Sequence, residues 1–358
     1  MTDGTSLPSV MTGVDPAASE RGGTSRMGQI PPPIRSVTRI VWRDGSASES
    51  TRTIPEETPV ALTYNRATHA VMLATPADLE DFAIGFSLSE GIIRHAADID
   101  ELEVVPVPDG IELRMSLAGD LLEALTRRQR RLTGPSGCGL CGLDSLASAI
   151  RPAPVVAAAG SFAPEMIQAA MASMPVAQRL NQQTRAVHAA AFWTPALGLV
   201  ALREDVGRHN ALDKLSGALA RQGIPAASGL LLLSSRVSVE MVQKAATLGV
   251  PVIVAVSAPT ALAVRVAEAA GIMLIGIARQ DGFEVFSHAD RIIPAARKVD
   301  PPSLPHPLRE GVGGRDETAQ LPGDMGTASS PQPPPAGSGG EPISTPVSII
   351  WDSVQHVA

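Results

Sequence analysis

The chain has 358 residues, 44 % of them apolar, and a formal net charge of −7. That length suits one large domain or two small ones. The mild acidity argues against a nucleic-acid surface, and no apolar run reaches the roughly 18 residues needed to span a membrane. Aromatics make up only 3 %, so a core has to be built from Ala, Val, Leu and Ile. The opening MTDGTSLPSV has no basic stretch followed by an apolar one, so no secretory signal is visible. The only two cysteines form a C-x-x-C pair, which without a signal fits a reducing cytoplasm and reactive thiols better than a structural disulfide.

Residues 1–35 are rich in Gly, Ser, Thr and Pro and read as a disordered tail, because they cannot bury enough apolar surface to order themselves. Four weakly alternating or apolar runs follow, at 36–42, 50–54, 59–64 and 70–74, and predict three or four antiparallel strands. Thr75 is expected to cap a helix with Pro76 at its first position, Asp78, Glu80 and Asp81 in the early turns, and Gly91 at its end. A hairpin is expected at 102–115 across Pro108-Asp109-Gly110, then an amphipathic helix over 120–131.

The stretch 134–146, GPSGCGLCGLDSL, holds Cys138 and Cys141 among four glycines. Each Gly costs about 1 kcal/mol in a helix relative to Ala, so the thiols belong on an exposed loop. The run 143–150 reads as a helix starting behind them, and a thiol near a helix N-terminus has its thiolate favoured. A sulfur carrier or nucleophile is one reading. Half a zinc site completed by His188 and His209 is a second, a redox pair a third and two inert cysteines a fourth.

Beyond the loop, helices are expected at 164–174 and 176–184 and strands at 187–193 and 199–202. Helices at 208–221, 239–248 and 260–270 then alternate with strands at 229–233, 250–256 and 272–277, and a short strand closes at 283–287. This order predicts an α/β layered sheet, partly parallel. The expected organisation is a tail over 1–35, a β-rich and helical subdomain over 36–136, a cysteine loop with an α/β subdomain over 137–298, and a low-complexity tail over 299–358.

In such sheets ligands collect where strands end. Four polar loops lie there. EDVGRHNALDK at 204–214 offers Asp205, Arg208, His209, Asp213 and Lys214, with Arg208 able to fork onto an anion; N-capping by Asp205 on a solvated face is the alternative. SSRVSVEMVQK at 234–244 offers Ser234, Ser235, Arg236 and Ser238 as a phosphate cradle or as plain caps. Thr260 in 257–260 reads as an N-cap. In 277–282, a turn over Asp281-Gly282 competes with Arg279 as an anion contact. Together the loops suggest a phosphorylated or nucleotide-like ligand, although no G-x-G-x-x-G or Walker loop is present.

The stretches TPADLEDFAIGFSLSEGII (75–93), GCGLCG (137–142), DVGRHNALDK (205–214) and SSRVSVEMVQKAATLGVPVIVAVSAPTALAVRVAE (234–268) resemble the signatures of the formate dehydrogenase accessory sulfurtransferase family, the FdhD type. The resemblance covers about 36–293. One departure is Thr184-Arg185-Ala186, where the family carries glycines; the long tails are another. The resemblance implies a cytidine-deaminase-like three-layer α/β/α mixed sheet with a small N-terminal β-rich subdomain, acting as a cytoplasmic homodimer. It implies a sulfurtransferase whose Cys138 takes persulfide sulfur from a cysteine desulfurase, with Cys141 as its partner. The acceptor would be the bis-molybdopterin guanine dinucleotide cofactor, with Mo or W, before its insertion into formate dehydrogenase. Ile277, Ala278, Arg279, Gln280, Asp281 and Gly282 would bind that cofactor, with Ser235, Arg236, Arg208 and His209 nearby. No resident metal is expected. A zinc deaminase on the same fold would need H-x-E, which none of the seven histidines supplies. A non-catalytic cofactor chaperone with a structural or redox pair is the rival function.

Overall fold

Short hairpins with left-handed turn residues build the N-terminal part. In the computed structural model, which describes residues 28–123, 125, 152–157 and 160–293, β1 (Ile34–Arg43) and β2 (Ser46–Pro55) pair as a two-stranded antiparallel ribbon. Their turn is Asp44-Gly45, with both residues at positive φ, which matches the strand twist. The same device at Asn65-Arg66 joins β3 (Thr58–Tyr64) to β4 (Ala67–Ala74). The chain divides into two units, Met1–Ala295 and Ala296–Ala358, and all described residues belong to the first. The loop carrying Cys138 and Cys141 lies outside the described residues, as do most of the helix expected at 120–131 and the tail expected over 299–358.

The helix α1 (Leu79–Ser89) precedes the hairpin of β5 (Ile99–Val107) and β6 (Gly110–Leu117). The four strands form a sheet in the order β4-β3-β6-β5, with β3 and β6 parallel at its centre. The expected antiparallel strands are therefore shared between two sheets. Alternate residues Val60, Leu62, Tyr64, Ile111, Leu113 and Met115 point to one face, where Phe82, Ala83 and Phe86 of α1 cover them. The start of α1 differs from expectation. Asp78, in the left-handed region at φ 52°, precedes the helix, and Thr75 does not cap it. Thr75 is fully buried, and its polar groups go elsewhere.

The second layer system follows the expected alternation closely. Its elements are α2 (Pro164–Ala177), α3 (Arg179–Thr184), β7 (His188–Thr194), β8 (Gly198–Asp205), α4 (Arg208–Arg221), β9 (Leu230–Leu233), α5 (Val239–Leu248), β10 (Val252–Ala255), α6 (Ala261–Ala270), β11 (Met273–Arg279) and β12 (Gly282–Val285). They make a six-stranded sheet in the order β12-β11-β10-β9-β7-β8. Strands β9, β10 and β11 are parallel, β7 is antiparallel to both its neighbours, and β12 is antiparallel to β11. Residues Phe192, Leu231, Leu233, Ile253 and Leu274 face α4, α5 and α6. Their neighbours Ala191, Trp193, Leu230, Leu232, Val254 and Ile275 face α2. Nearly continuous apolar strands are what a sheet covered on both sides requires. The result is a mixed α/β structure with helices on both faces of the larger sheet.

Helix α4 lies between the two layer systems, with its Leu212, Leu215 and Leu219 on the six-stranded sheet and its other side against α1. From Asn210 to Leu219 every residue is buried. The two helices cross at Gly85 and Gly217. A Cβ on Gly217 would lie 1.9 Å from Asp81 O, and one on Gly85 would lie 1.7 Å from Asp213 O. Both obstacles are backbone, so no side-chain rotation relieves them, and the crossing exists because neither residue has a side chain. Gly217→Ala is expected to destabilise the protein by about 1–3 kcal/mol or more through this overpacking. Denaturant unfolding measures it; a loss within experimental error would show that the two helices can part freely.

Candidate functional site

Parallel strands deliver their C-terminal ends to one edge of the sheet. Strand β8 runs in the same direction as β9, β10 and β11, so the loops after all four emerge together, beside the N-terminal end of β7. Backbone hydrogen bonds stitch these loops into a row. Ser234 N donates to Ala189 O (3.1 Å), Thr260 N to Val237 O (2.9 Å) and Ile277 N to Ser257 O (3.3 Å). The four polar stretches expected to share an edge do share it.

The first of them separates into two groups with different jobs. Asp205 does not cap a solvated helix start. Its carboxylate is fully buried and accepts from Lys214 Nζ (2.6 Å), Thr75 N (2.9 Å), Gly207 N (2.8 Å) and Asn210 Nδ2 (3.0 Å). Lys214 is also fully buried; it donates to Thr75 O (2.8 Å) and lies 5.8 Å from the centroid of the Phe82 ring. Thr75 Oγ1 accepts from Val206 N (3.1 Å), and Asn210 Nδ2 donates to Leu73 O (2.8 Å). Asp213, likewise buried, accepts two bonds from Lys244 Nζ (2.7 and 2.8 Å) and one from Ser89 Oγ (2.6 Å). Asp205, Asn210, Asp213 and Lys214 therefore bind the end of β4 and helix α1 to the larger sheet. They are not available to a ligand.

Arg208 and His209 remain, in the first turn of α4. Arg208 is half-buried, and its Nε is shielded from solvent and has no hydrogen-bond partner among the described residues. An unmatched guanidinium N–H at a helix N-terminus is a place where an anion supplies what is missing. His209 Nε2 lies 3.2 Å from Glu240 Oε2 of α5. Burial pushes the ring below the ordinary histidine value, against the pull of Glu240, with Arg208 and Lys244 adding to the burial effect. A neutral ring carrying its proton on Nε2 satisfies that contact.

In the second loop Arg236 is exposed, whereas Ser235 is buried and donates its hydroxyl proton to Arg236 O (3.1 Å). Ser238 is the residue preceding α5, yet its hydroxyl makes no cap bond and its Oγ is buried without a partner. In the third loop Thr260 is the expected cap, accepting from Ala263 N (3.3 Å). In the fourth the strand pairing slips between Gly276 and Arg279, and the hairpin turns at Gln280-Asp281 between Arg279 and Gly282. Ile277 has φ 51°. A β-branched residue in the left-handed region is a strained outlier, and such strain concentrates at ligand sites. Ala278 packs into the core, and Arg279, Gln280 and Asp281 are exposed. From the strand before Arg208 to the strand carrying Arg279 is four steps, about 19 Å at ordinary strand spacing.

Thr184-Arg185-Ala186 also has a local cost. Arg185 ends α3 at φ 56°, a conformation that glycine adopts more easily. The strain at Ile277 and the burial of Thr75 were not visible beforehand, because nothing in their neighbours' identities sets a backbone angle or a tertiary partner. Among the described residues no group of three or more His, Cys, Asp or Glu could hold a metal ion, and no helix is long and apolar enough to cross a membrane. Lys214→Met leaves the Asp205 carboxylate buried without its cation, so it is expected to cost about 3–5 kcal/mol. Unfolding in urea checks this; a loss below about 1 kcal/mol would show that the junction does not depend on the pair.

Residues 55–293 match the model of the FdhD/NarQ family. The sulfur carrier protein FdhD of Agrobacterium fabrum is 50 % identical over 260 residues, covering 72 % of this chain and 96 % of its own. That of Cupriavidus necator is 51 % identical over 268 residues, covering 74 % and 92 %. Among solved structures, a candidate formate dehydrogenase accessory protein from Desulfotalea psychrophila superposes with a TM-score of 0.58 at 25 % identity, over 73 % of this chain and 100 % of that one. With the family match running from the end of β2 to the end of the described residues, and relatives about 50 % identical over nearly their whole length, the chain belongs to the FdhD/NarQ family.

Proposed function

We propose that this chain is a sulfur carrier in formate dehydrogenase maturation, working as a cytoplasmic homodimer. Cys138 receives sulfur from a cysteine desulfurase, and the acceptor is the bis-molybdopterin guanine dinucleotide cofactor, which is the substrate. The observation that carries the acceptor half is the buried Nε of Arg208, which has no partner among the described residues, at an edge that also bears Arg236 and Arg279. The relatives named as sulfur carriers support the sulfur half.

The residues present fit a ligand with anionic groups far apart. Arg208 and Arg236 would hold one pyrophosphate, and Arg279 with the 277–282 turn would hold a second group two to four strand steps away, about 10–19 Å at ordinary strand spacing. Guanidinium forks and helix N–H groups are the donors that pyrophosphate oxygens need.

The sulfur chemistry belongs to the cysteines. The Cys138 thiolate attacks the outer sulfur of the desulfurase persulfide. The S–S bond there breaks, its electron pair leaves on the desulfurase cysteine, and a new S–S bond forms on Cys138. In delivery, the Cys141 thiolate attacks the inner sulfur of the Cys138 persulfide. The outer sulfur leaves as sulfide with the bonding pair, toward the metal, and a Cys138–Cys141 disulfide remains. A dithiol reductant restores both thiols.

Incubation with a cysteine desulfurase and cysteine, followed by intact-mass analysis and peptide mapping, is expected to show one added sulfur atom on Cys138 and none in Cys138→Ala. A protein that gains no sulfur on either cysteine, while still supporting formate dehydrogenase, would instead be a cofactor chaperone. For the acceptor side, Arg208→Ala and Arg236→Ala are each expected to weaken guanosine diphosphate binding roughly tenfold or more, the worth of a charged hydrogen bond. Unchanged affinity removes that arginine from the site.

A further inference from the structure

His188 opens β7 at the same sheet edge, opposite Asp205 in the strand register. Its backbone neighbourhood is held by the β8 pairing on one side and by Ser234 on the other. Ala189 N donates to Ser234 Oγ (2.8 Å), and Ser234 N donates to Ala189 O (3.1 Å). Strand β7 lies between β8, whose loop leads to Arg208, and β9, whose loop carries Arg236, so His188 stands between those two loops. It is half-buried and makes no hydrogen bond among the described residues.

The charges acting on it come from three places. Arg208 begins α4, Arg236 follows β9, and Asp205 ends β8. Burial and the two guanidiniums hold the ring below the ordinary histidine value, and Asp205 pulls weakly the other way. The Asp205 charge is already matched by Lys214 at 2.6 Å. In the free protein His188 is therefore a neutral ring beside two cations, one of which has an unmatched N–H.

We infer that His188 is a third donor of the pyrophosphate site, taking up one proton from solvent when an anion settles between Arg208 and Arg236 and bonding to that anion as an imidazolium. This rests on the reading of the edge as a nucleotide-diphosphate site. The bound anion cancels the repulsion from the two guanidiniums, so the proton that was costly in the free protein becomes favourable in the complex. The sign follows by linkage. Proton uptake is greatest where the complex is protonated and the free ring is not yet, so affinity rises as pH falls through the raised value in the complex, and is tightest where it levels off below the lowered value in the free protein.

The test is calorimetric titration with GDP-mannose from about pH 5 to pH 8, in two buffers of different protonation enthalpy. The pyrophosphate of GDP-mannose is esterified at both ends, as in the dinucleotide cofactor, and does not itself titrate in this range. The wild-type protein is expected to bind roughly tenfold more tightly at the acid end and to take up close to one proton. His188→Gln keeps a neutral donor; it is expected to match the wild type at the alkaline end, to lose the acid gain and to take up no proton. His188→Lys, cationic throughout, is expected to bind with a flat profile. An unchanged pH profile and proton count in His188→Gln overturns the role of His188 and leaves the arginine site standing. Wild-type binding that is absent, or that Arg208→Ala does not weaken, overturns the site and the role of His188 with it.

Discussion

The buried Asp205–Lys214 pair is the constraint on which the rest depends. A carboxylate and an ammonium removed from water are tolerated only with close pairing and with their remaining hydrogen-bonding capacity used. Here the carboxylate takes four donors and the ammonium also reaches Thr75 O. Meeting that demand requires the end of β4, the end of β8 and the first two turns of α4 to meet in one arrangement. The site inherits its geometry from this. Arg208 stands three residues beyond Asp205, and its position is set once Asp205 and Lys214 are.

A second constraint acts on the same helix. The crossing of α1 over α4 is closed by Gly85 and Gly217, so two helices from different layer systems meet backbone to backbone. With so few aromatic side chains in the chain, close approach of small residues supplies the contact that large rings would give elsewhere. Asp81 binds the same junction from the outside, through Arg203 (2.7 Å) and Arg221 (2.8 Å). A stiff junction holds the neighbouring strand-end loops, Arg208 among them, in one arrangement.

The candidate site is therefore an electrostatic surface built on a rigid support. Its positive groups come from loops after different strands, and among the described residues the buried Arg208 Nε, three residues beyond Asp205, has no partner. The strained Ile277 lies at the other end of the row, where the β11–β12 pairing slips. Arginines and helix N–H groups are suited to phosphate chemistry.

Much of this was readable in the sequence. The alternation of apolar strands with helices ending in glycine marked the six-stranded sheet and its connections, because burial on both faces and helix periodicity leave their own patterns. The bounds of α4 and α5, the Pro108-Asp109 turn and the Thr260 cap followed from local preference. The strand-end loops were legible as the polar edge because parallel connections place them together. Only the tertiary structure decided which residues of DVGRHNALDK serve the fold and which serve the edge. Asp205, Asn210, Asp213 and Lys214 turn inward and Arg208 and His209 do not, because α4 has a second neighbour, α1, that sequence periodicity does not reveal. Thr75 changed from a cap to a buried partner of the ion pair for the same reason: the need of a buried charge for donors is met from residues about 130 positions away, and no local rule reaches that far.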